Sequence, residues 1–368
     1  MAAAPALVFG AGVTALAVLR SMGRNGVPAF VAGADTALVR ASRWYRPAPG
    51  GPVDESGVAA WLDALPLECA VLVPCSDDWV LALARVPEGR FAAAVGPLEA
   101  VRTFVDKLRF AQATQRLGVP TPRTLFVRGV EDLDALGDAD LAGHFLKPVD
   151  SQAFFARFGT KGLWLEDRAV AAATVRRLAE EGLEMLLQEF VPGPPTGHVF
   201  LDGFVDRAGV MRAVLARRRV RLYPPKLGNT SLAVTIRMDE AAPALESLRR
   251  LLEGVAYTGI FNAEFVYDER DATFKLIEVN ARPYWQLELA TAAGLDLAHM
   301  AYRDALGLPV ETASRYRVGQ RWVHPLNDLR ARGLDARALL GRGNAVLAWD
   351  DPRPVLDGVA RAVRRLAR

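Results

Sequence analysis

The sequence predicts an α/β chain, and three stretches carry that prediction. Ala6-Leu-Val-Phe-Gly-Ala-Gly-Val-Thr-Ala15 reads as a buried strand, a glycine turn and the start of a helix, and Pro28-Ala-Phe-Val-Ala32 follows as a second strand. This is the opening of a βαβ unit, in which a parallel sheet is covered by helices. Cys69-Ala-Val-Leu-Val-Pro-Cys75 repeats the buried-strand pattern. Far down the chain, Phe261–Tyr267 and Phe274–Val279 are rich in β-branched and aromatic residues and flank the polar turn Asp268-Glu-Arg-Asp271, which predicts a β-hairpin.

The chain has 368 residues, 51% of them hydrophobic, enough for two or three domains with large cores. No apolar run approaches the ~18 residues of a membrane span. Met1-Ala-Ala-Ala-Pro5 carries no basic segment ahead of the first strand, so no signal peptide is expected. Cys69 and Cys75 are the two cysteines, without Cys/His metal spacing. Free thiols and a cytoplasmic location are expected. A net charge of +3 is mild, and a nucleic-acid binder would show a dense basic face with stacking aromatics. Neither nucleic acid nor membrane is expected as a partner. Arginine far outnumbers lysine, which makes Lys107, Lys147, Lys161, Lys226 and Lys275 informative.

In chain order, the first helix runs to about Met22 and is closed by Gly23 and Gly26. Gly10-Ala-Gly12-x-x-Ala15, with Asp35 ending the second strand, resembles a dinucleotide fingerprint. A tight strand-to-helix turn explains the same glycines. Trp61–Leu65 ends a helix. Ser76-Asp77-Asp78-Trp79 then stands at a strand C-terminus, where doubly wound sheets bind ligands. A helix cap by Ser76 or Asp77 is the preferred reading, and a hold on an amino-acid substrate is the alternative. Cys75 reads as packing, because no histidine is near it in sequence.

Pro97–Ala111, continuing to Gly118-Val-Pro-Thr-Pro122, predicts a helix pair ending in a proline stop. Gly143-His-Phe-Leu-Lys147-Pro148 is an apolar strand ending in a lysine, whose burial needs an anionic partner. Ala169–Glu181 is an amphipathic helix, and Met185–Val191 a strand leaving into Pro192-Gly193. Val199–Val205 and Val210–Ala216 form a hairpin around Asp206–Gly209. Arg217-Arg-Arg-Val-Arg221 alternates into Tyr223-Pro-Pro-Lys226-Leu-Gly-Asn229-Thr-Ser231. Pro243–Gly254 is a helix, and Glu288–Gly294 and Leu297–Leu306 are helices after the second hairpin. The tail Trp322–Arg368 reads as one strand and two short helices around Trp349-Asp-Asp-Pro352. Its last helix carries Arg361, Arg364, Arg365 and Arg368, a solvated face or a subunit contact.

The second hairpin holds the chemistry. Glu278, Asn280 and Arg282 are spaced by two, so an extended strand points all three to one face, and Glu264 faces the same hairpin from the other strand. Carboxylates and amide oxygens are hard ligands of the kind Mg²⁺ takes together with phosphates and water. An arginine beside them suits charge developing on a phosphoryl or tetrahedral centre. A solvated surface hairpin would explain Glu264 alone, but explains less well a Glu-x-Asn-x-Arg run flanked by Ile277, Val279 and Pro283.

This pattern resembles the metal-binding end of the ATP-grasp superfamily, on the side of biotin carboxylase and the carbamoyl phosphate synthetase large chain. The resemblance covers roughly residues 95–310. It implies a Rossmann-like pre-ATP-grasp domain over 1–95, a first ATP-grasp lobe with a phosphate-loop subdomain over 96–192, a second lobe with the metal site over 193–310, and a C-terminal extension over 311–368. By resemblance, Glu264, Glu278 and Asn280 would bind magnesium, two ions with Mn²⁺ as a substitute, while Asn280 and Arg282 act at the reacting phosphate. Lys107, Lys147 and Lys161 would contact ATP phosphates, and Gln188, Glu189 and the Phe190–Val191 backbone would meet the adenine. Many relatives place glycines in the loop over the triphosphate; here residues 151–162 offer Arg157 and Lys161 instead. The ribose contact is open, since Pro194–His198 holds no acid. Arg219, Arg221, Asn229, Thr230 and Ser231 would meet an anionic substrate.

The reaction so implied is carboxylate activation: ATP phosphorylates a carboxylate, an amine attacks the acyl phosphate, and an amide, ADP and phosphate result. The pattern looks nearest to carboxylate–amine ligases similar to D-aspartate ligase, with small amino-acid-like carboxylate and amine substrates. Relatives are often dimers, so a homodimer is an expectation. Three rivals stand beside this reading. One is carboxylation through carboxyphosphate, against which no biotin-carrier motif is present. The second is a nicotinamide oxidoreductase using Gly10–Ala15, and the third a non-catalytic nucleotide-binding protein.

Overall fold

The computed structural model describes the chain apart from residues 1–3, 34–35, 135–136, 138–140, 142, 150–153, 155–157, 159–161, 166, 226–227, 334, 342 and 359–368. Three sheets organise it. The first is built from β1 (Ala6–Phe9), β2 (Ala29–Ala32), β3 (Ala70–Pro74) and β4 (Phe91–Ala93), in the order β2-β1-β3-β4 and parallel throughout. Its strands are apolar because helices cover both faces. Between β1 and the helix Gly12–Arg24 the chain turns at Gly10, whose φ of 129° suits glycine. A Cβ there would stand 2.9 Å from the Cβ of Cys75. Close packing against β3 therefore accounts for this glycine without a cofactor.

The second sheet belongs to the smaller lobe. It contains β5 (Thr124–Val127), β6 (His144–Pro148), β7 (Leu163–Trp164) and β8 (Met185–Glu189), all antiparallel, in the order β5-β8-β6-β7. Its core is its own: Leu146, Leu187 and Phe154 pack on Ala171, Val175 and Leu178 of the helix Arg168–Glu180. Each fully buried leucine or phenylalanine is worth about 1.5–3 kcal/mol over leaving it exposed.

The third sheet is the platform for the site. Its strands are β9 (His198–Val205), β10 (Met211–Tyr223), β11 (Asn229–Ile236), β12 (Gly259–Asp268), β13 (Thr273–Asn280), β14 (Arg321–Val323) and β15 (Gly343–Asn344), in the order β13-β12-β9-β10-β11-β14-β15. The chemistry-bearing hairpin forms as its residue pattern requires, with Glu264 opposite Glu278 and Asn262 opposite Asn280. β10 outruns the predicted Val210–Ala216 and continues through the arginine run. The tail supplies two strands rather than one, and β14 pairs with Leu232–Val234 of β11.

The sheets are tied together by shared cores. Leu16, Leu19 and Met22 of the first helix pack with Leu287 and Ala290 of the helix Leu287–Ala293 and Leu297 and Ala301 of the helix Leu297–Ala305. Val101 and Phe104 of the helix Leu98–Val105 join Phe261, Phe265 and Leu276 beneath the large sheet. Strand β9 comes close to Phe261 at Gly203, where a Cβ would lie 2.5 Å from the ring. No helix among the described residues is long and apolar enough to cross a membrane.

Candidate active site

The site forms where the Glu264–Glu278 rung meets the first sheet. Glu278 and Asn280 share one face of β13, which ends at Asn280 rather than running on through Arg282; Arg282, two residues past the strand, reaches the same face by a hydrogen bond. The Asn280 amide donates to Glu278 Oε1 at 3.4 Å, and Arg282 Nη2 donates to Asn280 Oδ1 at 3.1 Å. Glu278 is exposed, while Asn280 and Arg282 are half-buried. Asn280 also donates to Asn262 Oδ1 at 3.0 Å, and Asn262 donates to the buried Asp202 at 2.6 Å. These contacts extend the site into the core of the sheet.

Arg282 is fixed from the other domain. Its Nε and Nη2 donate to the two carboxylate oxygens of Asp77 at 2.7 and 3.0 Å. Burial opposes charge on both groups, yet each partner more than offsets it. Asp77 is held below the usual carboxylate range, Lys107 adding to the effect of Arg282, and Arg282 is held above its ordinary value. Ser76 caps the helix Asp77–Leu83 by accepting from Trp79 N at 3.3 Å. The preferred cap reading therefore holds for Ser76, and Asp77 is left for Arg282.

Glu264 Oε1 accepts from Arg219 Nη2 and meets His198 Nδ1, both at 2.8 Å. Arg219 is 6% exposed, also donates to Thr230 Oγ1 at 3.0 Å, and lies over Phe200. Beneath it Arg217 and Asp202 form an ion pair with no exposure on either side chain, the guanidinium 3.8 Å from the Phe200 ring centroid. Further hydrogen bonds offset part of the cost of burying such a pair. Asn262 donates to Asp202, and Gln286 accepts from Arg217 Nη2 at 3.2 Å, while Arg217 Nη1 is buried without a hydrogen-bond partner among the described residues.

The expected substrate set divides. Arg219 and Thr230 face Glu264. Arg221 instead donates twice to Asp328, at 2.8 Å each, and Ser231 donates to the same carboxylate at 3.2 Å. The β10–β11 register shifts between Arg219 and Arg221, so their alternation does not keep them on one surface. Arg221 and Ser231 anchor the tail rather than converge with Arg219. Asn229 opens β11 opposite Tyr223.

On the nucleotide side, Lys147 ends β6 half-buried, with no side-chain partner among the described residues. The Lys107 ammonium donates to the Val149 carbonyl just past the same strand. Asp106 caps the Lys107 helix by accepting from Leu108 N and Arg109 N. Gln188 is buried and donates to Thr124. The Glu189 carboxylate is occupied: Oε2 accepts from Arg123 N at 3.1 Å and Oε1 from Arg270 at 2.5 Å. Phe190 N donates to Gly143 O. Of the expected adenine contacts, the Glu189 side chain thus serves as a tie between β5 and the second hairpin. Lys161, Arg157, Ser151, Lys226, Asp35 and the arginines at 361–368 lie outside the described residues.

No group of three or more His, Cys, Asp or Glu suited to a metal occurs among the described residues. Glu264, Glu278 and the Asn280 oxygen fit Mg²⁺ as a partial set, since Mg²⁺ keeps several waters and takes phosphate oxygens. Sequence reasoning missed Asn262, Asp202 and Arg217, and named His198 without a role. Buried polar residues in strands were their one signal.

Comparison with known proteins agrees with this fold. Residues 233–313 match the family described as carbamoyl-phosphate synthase L chain, ATP binding domain. D-aspartate ligase from Enterococcus faecium is 27% identical over 245 residues, 64% of this chain and 58% of that protein. The chain thus spans little more than half of that curated relative. In fold it is similar to a biotin carboxylase complex from Campylobacter jejuni, with TM-score 0.63 and 15% identity over 86% of this chain and 74% of that one. L-amino acid ligase from Bacillus licheniformis gives TM-score 0.59 and 14% identity over 84% and 76%. A small antiparallel lobe and a large sheet carrying Glu264, Glu278, Asn280 and Arg282, set against a parallel N-terminal sheet, give this chain the ATP-grasp fold of these solved structures.

Proposed function

We propose that the protein is an ATP- and magnesium-dependent carboxylate–amine ligase that forms an amide through an acyl phosphate. The observation that carries this reading is the convergence of Glu264, Glu278, Asn280 and Arg282 on one end of the large sheet, with Arg282 clamped by Asp77. Magnesium would supply neutralisation of the phosphate charge. Glu264, Glu278 and Asn280 would hold it. Lys147 and Lys107, gathered at the end of β6, would hold the triphosphate. The Val191 N–H, unengaged among the described residues, and the adjoining backbone suit the adenine edge.

In this mechanism Arg282 orients the γ-phosphoryl group and then stabilises the oxyanion of the tetrahedral centre. Arg219, fixed by Thr230 and Glu264, would face the substrate carboxylate and hold it in line. Kinship with D-aspartate ligase favours amino-acid-like substrates, and a homodimer remains part of the proposal. The test is ADP release from ATP and Mg²⁺ against amino acids singly and in pairs, with bicarbonate as a separate acceptor. ADP released by one acid–amine pair, with the coupled amide seen by mass spectrometry, supports the ligase. Release with bicarbonate alone replaces it by carboxylation. No release, together with NAD(P)H binding, returns the reading to Gly10–Ala15.

A further inference from the structure

The Asn280 amide is the outer link of a file of side chains that crosses three strands. Asp202 of β9 pairs with Asn262 of β12, and Asn262 pairs with Asn280 of β13. Residues paired across strands stand on one face of a sheet, so the file runs from the interior of the large sheet to its edge strand. Asp202 is 0% exposed and Asn262 5%, while Asn280 is half-buried. The direction of the hydrogen bonds in this file is therefore set by the protein groups at its two ends.

Both ends impose the same direction. An ionised carboxylate only accepts, and a guanidinium only donates. Asp202 Oδ2 accepts from Arg217 Nε, and its Oδ1 from Asn262 Nδ2, both at 2.6 Å. This turns the Asn262 amide nitrogen toward Asp202 and leaves its Oδ1 for β13, where it accepts from Asn280 Nδ2 at 3.0 Å. At the outer end Arg282 Nη2 donates to Asn280 Oδ1 at 3.1 Å. Reversing the Asn262 amide would set its oxygen against the Asp202 carboxylate, and reversing that of Asn280 would set its nitrogen against the guanidinium. An amide oxygen has two acceptor positions. Arg282 takes one at Asn280, and the other is left for a cation.

We propose that Asp202 and Asn262 are positioning residues for Asn280, holding its amide with the oxygen turned outward as a magnesium ligand. The proposal rests on the metal-site reading of Asn280 and adds two residues that act through it without touching the ion. Partners behind a metal ligand orient it and tune its affinity. The buried Arg217–Asp202 pair fits this role better than a stabilising one, because replacing such a pair by apolar residues of similar volume is often neutral or stabilising. The pair supplies a fixed acceptor at the inner end of the file, which an apolar pair would not.

The test is Mn²⁺ binding to the full chain saturated with ADP, read as enhanced water-proton relaxation, with Mn²⁺ and ADP alone as the blank. Calorimetry reads ADP affinity without metal. Asn262→Leu keeps the side-chain volume and removes both hydrogen bonds. It should weaken Mn²⁺ binding by about tenfold or more, with metal-free ADP affinity unchanged, and Asn280→Ala should weaken it at least as much. The deciding comparison is the double variant. If Asn262 acts through Asn280, Asn262→Leu adds nothing once residue 280 is alanine, whereas a merely structural role gives losses that add. Asp202→Leu combined with Arg217→Met removes the inner acceptor without leaving a lone buried charge. It should weaken Mn²⁺ binding as Asn262→Leu does, and it decides the matter if Asn262→Leu fails to fold. Unchanged Mn²⁺ affinity in these folded variants, or losses that add, overturns the proposal and leaves the metal site standing. Unchanged affinity in Asn280→Ala, or no Mn²⁺ binding by the wild type, overturns the metal-site reading and the proposal with it.

Discussion

Arg282 donates through two nitrogens to Asp77, a partner 205 positions earlier in the sequence. Through this pair the N-terminal domain positions the arginine that ends the Glu-x-Asn-x-Arg run. Asp77→Asn keeps the volume and removes the charge. The expected outcome is a loss of about 1–3 kcal/mol in urea unfolding, because a part-buried charged donor loses its acceptor. A fall in turnover of about 10²-fold should accompany it, the scale of removing one positioned transition-state donor. Turnover equal to wild type would show that Arg282 needs no support from the first domain.

Glu278 separates chemistry from folding. It is exposed, and among the described residues its carboxylate accepts one hydrogen bond, from Asn280 at 3.4 Å. Glu278→Gln should abolish ATP turnover with the unfolding midpoint unchanged. Turnover near the wild-type rate removes the metal-site assignment. Lys147→Ala should weaken ATP binding by about tenfold, or about 1.4 kcal/mol, and calorimetry reads this directly. Unchanged affinity would deny Lys147 a phosphate role.

The two arginines of β10 make a paired prediction. Arg219 contacts Glu264, whereas Arg221 contacts Asp328 and the tail. Arg219→Ala should lower kcat/KM for the carboxylate substrate. Arg221→Ala should leave the KM of that substrate unchanged and lower the melting temperature. A raised KM in Arg221→Ala with stability intact would restore it to the substrate set.

These residues also show what the sequence could disclose. The hairpin was legible because a strand places every second residue on one face, a rule that acts over a few residues. Glu278 and Asn280 obey it, and Arg282 follows just past the end of the strand. The Asp77–Arg282 pair was not legible, because Ser76-Asp77 has a sufficient local explanation as a cap and its true partner lies in another domain. Arg219 and Arg221 look equivalent in a period-two pattern, and the register shift between them separates their surfaces. The tail read as an appendage since β14 is short; only its pairing to β11 makes it part of the large sheet.

Acid should destabilise the fold through a small set of carboxylates. Asp268 accepts from Arg270 and Lys275 with its side chain buried, and both cations hold it far below the carboxylate range. Asp77 and Asp206 are lowered as well. A depressed folded value means stability that is present above the unfolded value, about 3.9 for Asp, and lost as pH falls through the folded one. Glu288, raised by burial, has the opposite sign: its contribution is present below the unfolded value and lost as pH rises through the folded one. Urea midpoints should therefore drop from about pH 4 downward, and less steeply in Asp268→Asn. Equal slopes would show that Asp268 carries no share of the acid transition.

The two thiols should differ sharply in reactivity. Cys75 is buried against the β1 turn, and burial pushes its pKa up to about 12, Arg282 only partly opposing this. Cys69 is exposed. Because the thiolate is the nucleophile, a raised value keeps Cys75 protonated at mildly alkaline pH, and its closeness to Gly10 shields it further. Alkylation of the native protein at about pH 8 should add one group, at Cys69, and a second only after unfolding, as read by intact mass. Rapid native modification of Cys75 would mean that the Gly10 turn opens away from β3. That opening would give the glycine turn room for a ligand and weaken the packing explanation of its sequence.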